Sequence, residues 1–137
     1  MPIKVDRKVL YEAFADTDPE TQYMVDTTTG RVIKLSLSDP AGLQKFKSDL
    51  AREPKRYLQV QKPSGQDNFK DMEQFVAIVA DPRLKQELQR ALASHKPFRE
   101  FRDVLERRFK EKNQWAEFRK QRVEKRLTDF MKTSGLV

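Results

Sequence analysis

Apolar residues recur along this chain with two periods, and the change from one to the other divides it. Near the start, Val9, Leu10, Ala13 and Phe14 fall at i, i+1, i+4 and i+5, which predicts a short helix with one apolar face. Asp6 stands where an N-cap is needed, and Asp16-Thr17-Asp18-Pro19 ends the pattern with turn residues and a pre-proline position. Gln22–Asp26 and Arg31–Leu37 are then rich in strand formers, with Thr27-Thr28-Thr29-Gly30 between them. This is the pattern of a β-hairpin in which Gly30 supplies a positive φ. An isolated hairpin is marginal in water, and Arg56–Gln61 reads as the third strand it needs. Between them Asp39-Pro40 sets the N-cap and first residue of a helix with Leu43, Phe46 and Leu50 on one face.

Beyond Lys62-Pro63-Ser64-Gly65 the helical period persists to the end of the sequence. Phe69, Met72, Val76 and Val79 stripe one helix; Asp81-Pro82 breaks and restarts the chain; Leu84, Leu88 and Leu92 stripe the next. After the turn Ala93–Pro97, Phe98, Phe101, Leu105 and Phe109 predict a continuous core-facing stripe with Arg102 inside its edge. In the last stretch Arg119, Arg122 and Arg126 fall within about 30–40° of Trp115 on a helix. Residues 133–137 read as a frayed tail. The expected fold is α+β: a small antiparallel sheet of about three strands with a predominantly helical C-terminal part. The expectation is a single domain over residues 1–137, with a hairpin-containing part (1–63) and a helical part (64–132).

Charge changes this picture more than composition does. The net charge is +7, but residues 1–81 carry 12 Lys and Arg against 13 Asp and Glu, whereas residues 82–137 carry 16 against 8. The whole positive excess lies in the second part, where it favours anionic partners by steering and counterion release, or else solvates a helical surface. Cysteine is absent, which removes disulfides, thiolate catalysis, Cys-based zinc sites and iron–sulfur clusters. No apolar run approaches a membrane span, and Met1–Asp6 lacks a signal-peptide core, so the expected location is the cytoplasm.

Little in the sequence points to a reaction. His95 is the only histidine and sits in a basic turn, where a solvated residue or helix cap is the ordinary role. Asp67 and Asp71 share a helix face at i, i+4, a spacing compatible with Mg²⁺, but Asp67 equally suits the first turn of a helix, where negative charge complements the dipole. Asp26, before the hairpin loop, reads as a turn residue. Nucleotide-loop and zincin patterns are missing, so no catalytic residue, metal site or cofactor is expected. Arg119, Lys120, Arg122, Lys125 and Arg126 face few acids and form the candidate anion-binding set, with Trp115 as a ring able to stack on a base. Arg99 and Arg102 read either as structural ion pairs or as anion contacts.

Four segments in order carry a family resemblance: Tyr23-Met24-Val25-Asp26 with Thr29-Gly30-Arg31-Val32; Arg56-Tyr57-Leu58 followed by Met72 and Phe75-Val76; Phe98–Leu105; and Trp115 with Phe118-Arg119 and Arg122. The chain resembles uncharacterised protein family 0158, small bacterial proteins without an assigned activity. The resemblance implies the α+β fold and a bacterial cytosolic setting. The sequence departs from the family pattern at Ser94-His95-Lys96-Pro97, where a glycine-containing turn is expected. The functional expectation is a non-enzymatic binding protein that engages an anionic partner, nucleic acid first, with a protein–protein adaptor as the alternative.

Overall fold

The structure, a computed structural model, describes residues 4–136; the first three residues and the last lie outside it. The elements in chain order are α1 (Arg7–Ala15), β1 (Thr21–Asp26), β2 (Val32–Ser36), α2 (Pro40–Arg52), β3 (Tyr57–Gln59), α3 (Gly65–Ile78), α4 (Pro82–Leu92), α5 (Pro97–Glu106) and α6 (Phe109–Ser134). This is the α+β architecture the period change predicts. The elements group into two compact units: residues up to Pro63 with those from Val123 onward, and Ser64–Arg122.

The first unit is built on a three-stranded antiparallel sheet of order β2-β1-β3. Asp6 caps α1 by accepting from the Val9 N–H, and Gly30 closes the hairpin with φ of 79°. Because β1 is central, Val25 is paired with Val32 on one side and Leu58 on the other. Tyr23, Val25, Val32 and Leu58 face a core shared with Leu10 and Phe14 of α1 and with Val123, Leu127 and Met131 of α6. Met24, Ile33, Leu35 and Tyr57 face the other way, against Leu43, Phe46 and Leu50 of α2. Helices on both faces explain why β1 is buried at nearly every position instead of alternating.

The second unit is helical. Ser64 and Asp67 form a reciprocal capping box at the start of α3, so the carboxylate considered for Mg²⁺ holds the Ser64 backbone N–H. Asp81 caps α4 by accepting from the Arg83 and Leu84 N–H groups. The turn into α5 is made without glycine and without any positive φ, since Pro97 fixes the first helical residue. Met72, Phe75, Val76, Leu84, Leu88, Phe101, Val104 and Leu105 form the core, with Trp115 and Phe118 packed against it.

Two expectations are corrected here. The stripe Phe98, Phe101, Leu105, Phe109 is not continuous, because α5 stops at Glu106 and Phe109 begins a new helix. Phe101 and Leu105 are buried, but Phe98 is 49 % exposed and Phe109 81 %. The tail is also not frayed from residue 133: α6 runs to Ser134, and Gly135 caps it at φ of 68°. The Leu136 N–H bonds the Met131 carbonyl and the Gly135 N–H that of Lys132, a Schellman closure that places Leu136 against the first unit's core.

Candidate anion-binding surface

The cations of α6 divide by position on the helix. Arg119, Arg122 and Arg126, at i, i+3 and i+7, share one side with Trp115, and all three are half-buried. Arg122 lies over the Phe118 ring, 4.9 Å from its centroid. Arg119 and Arg126 also have partners within the protein. Lys120 and Lys125 are exposed, yet their five-residue spacing sets them about 140° apart around the helix. Lys125 stands 3.9 Å from Asp129. The five candidate cations therefore do not make one continuous strip: the arginines are half-buried on one side of α6, and the lysines lie elsewhere around it.

Trp115 is placed differently from its reading as an open stacking ring. Its indole is partly buried, with ring centroids 5.2 Å from Phe75, 5.1 Å from Phe101 and 6.0 Å from Phe118. Tilted, edge-on and stacked ring contacts like these three stabilise beyond simple burial. The aromatic side chains left in solvent are instead Phe98, edge-on to Phe69 at 6.4 Å, and Phe109. Among the described residues Arg99 pairs only with Asp103 of its own helix, at 3.9 Å, and both are exposed. Arg102 is exposed and has no carboxylate within 4.0 Å among the described residues. His95 is exposed in the α4–α5 turn. Phe69, Glu73, Val76, Ala77, Lys85, Gln89, Leu92 and Ala93 line an open groove of about 500 Å³ on α3 and α4.

A model of the uncharacterised protein family UPF0158 matches residues 1–136. The chain belongs to that family. No curated protein and no solved structure matches it. The segments that carried the resemblance have identifiable work in this family member. Asp26 ends β1 with Oδ1 accepting from the Thr28 N–H at 2.9 Å and from Arg56 Nε at 2.9 Å, while Oδ2 accepts from Arg56 Nη2 at 2.8 Å. Arg56 also bonds Glu53 at 2.7 Å. This fork holds Asp26 well below the usual carboxylate range, against the upward push of burial. The sequence reading gave Asp26 only a turn role. The available signal was the antiparallel order, which sets the start of β3 beside the end of β1.

Two further polar clusters in this family member were not anticipated. Asp16 Oδ2 accepts from Thr21 Oγ1 and from the Tyr23 hydroxyl at 2.9 Å, and Lys62 Nζ stands 3.4 Å away. Burial pushes the Asp16 carboxyl up, but the bonds from Thr21, the Asp18 N–H and Tyr23, with the Lys62 charge, outweigh it and hold the group at about 2. Burial and the same bond push Tyr23 up to about 12. In the second unit Arg108 Nη2 donates to Asp81 Oδ2 at 2.6 Å and to Glu111 at 3.2 Å, and the Arg108 bond lowers the Asp81 pKa. Each cluster ties chain segments together, with carboxylates already satisfied by donors. Among the described residues no group of three or more metal-ligating side chains converges, and no helix is long and apolar enough to cross a membrane.

Proposed function

We propose that this is a non-enzymatic, cytoplasmic binding protein whose basic C-terminal helices engage an anionic partner, nucleic acid in the first instance. The observation that carries the reading is the charge division, −1 over residues 1–81 and +8 over residues 82–137. Its support in the folded chain is a set of exposed cations, Arg83, Arg90, Lys96, Arg102 and Lys120 among them, with no carboxylate within 4.0 Å among the described residues. Uncompensated surface cations interact with a phosphate backbone mainly by releasing its condensed counterions. In this reading the exposed lysines and arginines make the phosphate contacts, and Arg119, Arg122 and Arg126 contribute from half-buried positions on α6.

The test is fluorescence anisotropy with labelled single- and double-stranded oligonucleotides at 20 and 150 mM salt, values on the order of those over which such binding changes. The folded protein should bind at low salt, with affinity falling steeply as salt rises. Charge reversal of exposed Lys120 and Lys125 to Glu should weaken binding to unrelated sequences equally, because phosphate contacts carry no base information. Absence of binding at low salt by the folded protein would refute the reading.

A second reading, a protein–protein adaptor, has one specific observation in its favour: the groove of about 500 Å³ on α3 and α4. Lys85 lines it, Lys70 and Lys96 lie near its lining in sequence, and Glu73 is the one acid in the lining. The occupant this chemistry fits is an amphipathic helix with acidic residues beside its apolar anchors.

A further inference from the structure

The corner between α5 and α6 presents a large aromatic ring to solvent from an anchored backbone. Phe109 is 81 % exposed, more than any other large hydrophobic side chain among the described residues. The ring is not on a loose loop. The Arg108 side chain on one side of it is held by Asp81 at 2.6 Å and Glu111 at 3.2 Å. The Arg108 N–H bonds the Leu105 carbonyl at 2.9 Å, and the Lys112 N–H bonds that of Arg108 at 2.8 Å. In sequence Phe109 is flanked by Arg107 and Lys110, both exposed and neither within 4.0 Å of a carboxylate among the described residues. The other nearby cation, Lys112, is taken by Glu106 at 2.8 Å. The corner thus carries one solvent-exposed ring with an exposed cation close to it in sequence on each side.

We infer that Phe109, Arg107 and Lys110 form a stacking platform for a single-stranded nucleic acid, the ring meeting a base face and the two cations meeting flanking phosphates. The inference rests on the anionic-partner reading and narrows it to one strand state and one residue. A solvent-facing ring has affinity for any base, since every base offers a π face, but only an unpaired base has that face free. The flanking cations distinguish this partner from a neutral or basic protein surface, which they would repel or leave without compensation. Trp115, the ring with the more favourable indole, is packed against Phe75 and Phe101, and the half-exposed Phe98 is engaged edge-on by Phe69, which leaves Phe109 to do this.

Anisotropy titrations with fluorescein-labelled oligo-dT, oligo-rU and a duplex of equal length decide the matter. The wild-type protein should bind both single strands more tightly than the duplex, and the dT and rU arms separate DNA from RNA as the source. Phe109→Ala should weaken single-strand binding roughly 5- to 100-fold, the range for loss of one stacked base, and Phe109→Trp should retain it. Because no charge is removed, duplex binding and the salt slope of Phe109→Ala should be unchanged. Arg107→Ala and Lys110→Ala should each lower the single-strand slope by about 0.7. The exposed ring supports no core, so the melting temperature of Phe109→Ala should match wild type. Equal binding of single strand and duplex, or wild-type single-strand affinity in Phe109→Ala, overturns the platform and leaves the charge-based reading standing. No binding of any probe by the folded wild-type protein at low salt overturns both.

Discussion

Three phenylalanines at helical spacing, Phe98, Phe101 and Phe109, have sharply different surroundings, and truncating each to alanine measures that difference. Phe101 is 2 % exposed, with its ring 5.1 Å from Trp115 and 6.4 Å from Phe75. Burying a phenylalanine side chain contributes about 1.5–3 kcal/mol by transfer. A void among aromatic rings that cannot fully collapse adds to this, so Phe101→Ala should cost about 3–5 kcal/mol. Phe98 is half-exposed with one edge-on ring contact, to Phe69, among the described residues, and Phe98→Ala should cost about 1 kcal/mol. Phe109→Ala should fall within about 0.5 kcal/mol of wild type. The assay is urea unfolding followed by fluorescence of Trp115, the only tryptophan, which sits against the Phe101 ring. At a urea slope of about 1–3 kcal/mol per molar, the Phe101 variant should lose roughly 1–5 M in midpoint without change of slope. An unchanged midpoint in Phe101→Ala, or equal losses at Phe101 and Phe109, would show that the stripe is not divided as described.

Asp16 is held at about 2 and Asp26 is lowered as well, so both contribute stability that is complete above the unfolded carboxylate value near 4 and is lost as pH falls through the folded values. Thermal melts should therefore show a decline beginning below about pH 4 and continuing past pH 2, with a shallower decline in Asp16→Asn; identical profiles would contradict the assignment. Tyr23 has the opposite sign: raised to about 12, its contribution is present below about pH 10 and lost between there and 12, which Tyr23→Phe should abolish in alkaline melts. Ending the chain after Arg122 removes Val123, Leu127 and Met131 from the first unit's core, together with the Phe130 ring 5.6 Å from Phe14. All three tyrosines lie in that unit, so their near-ultraviolet dichroism should collapse; a preserved tyrosine signal would mean that the sheet and α1 suffice.

Local chemistry was legible wherever the decisive contact lies within a few residues. Asp6, Asp39 and Asp81 each cap a helix through backbone N–H groups two or three residues on, so the starts of α1, α2 and α4 could be read directly. The hairpin followed from Gly30 and from strand-forming residues on either side, and the third strand from the instability of a lone hairpin. Leu84, Leu88, Phe101 and Leu105 were identifiable as core because a 3.6-residue period marks which positions share a face. The Schellman ending at Gly135 was equally local, and its glycine was present to be read.

What periodicity alone does not contain is where a helix ends when neither glycine nor proline marks the place, and none stands between Phe98 and Ser134. The break after Glu106 coincides with the bond from Arg108 to Asp81, a partner 27 residues away. Once the chain turns there, the phase of the pattern resets, Phe109 leaves the stripe and Trp115 enters the aromatic cluster. The joining of Asp26 to Arg56 across 30 residues is of the same kind. By itself, then, the sequence determined the elements, their caps and the sign of the C-terminal charge, because these depend on neighbouring residues and on composition. Only the tertiary structure decided which arginines are half-buried, which carboxylates are already bonded and which aromatic rings are left in solvent, because each depends on partners that folding brings together from distant parts of the chain.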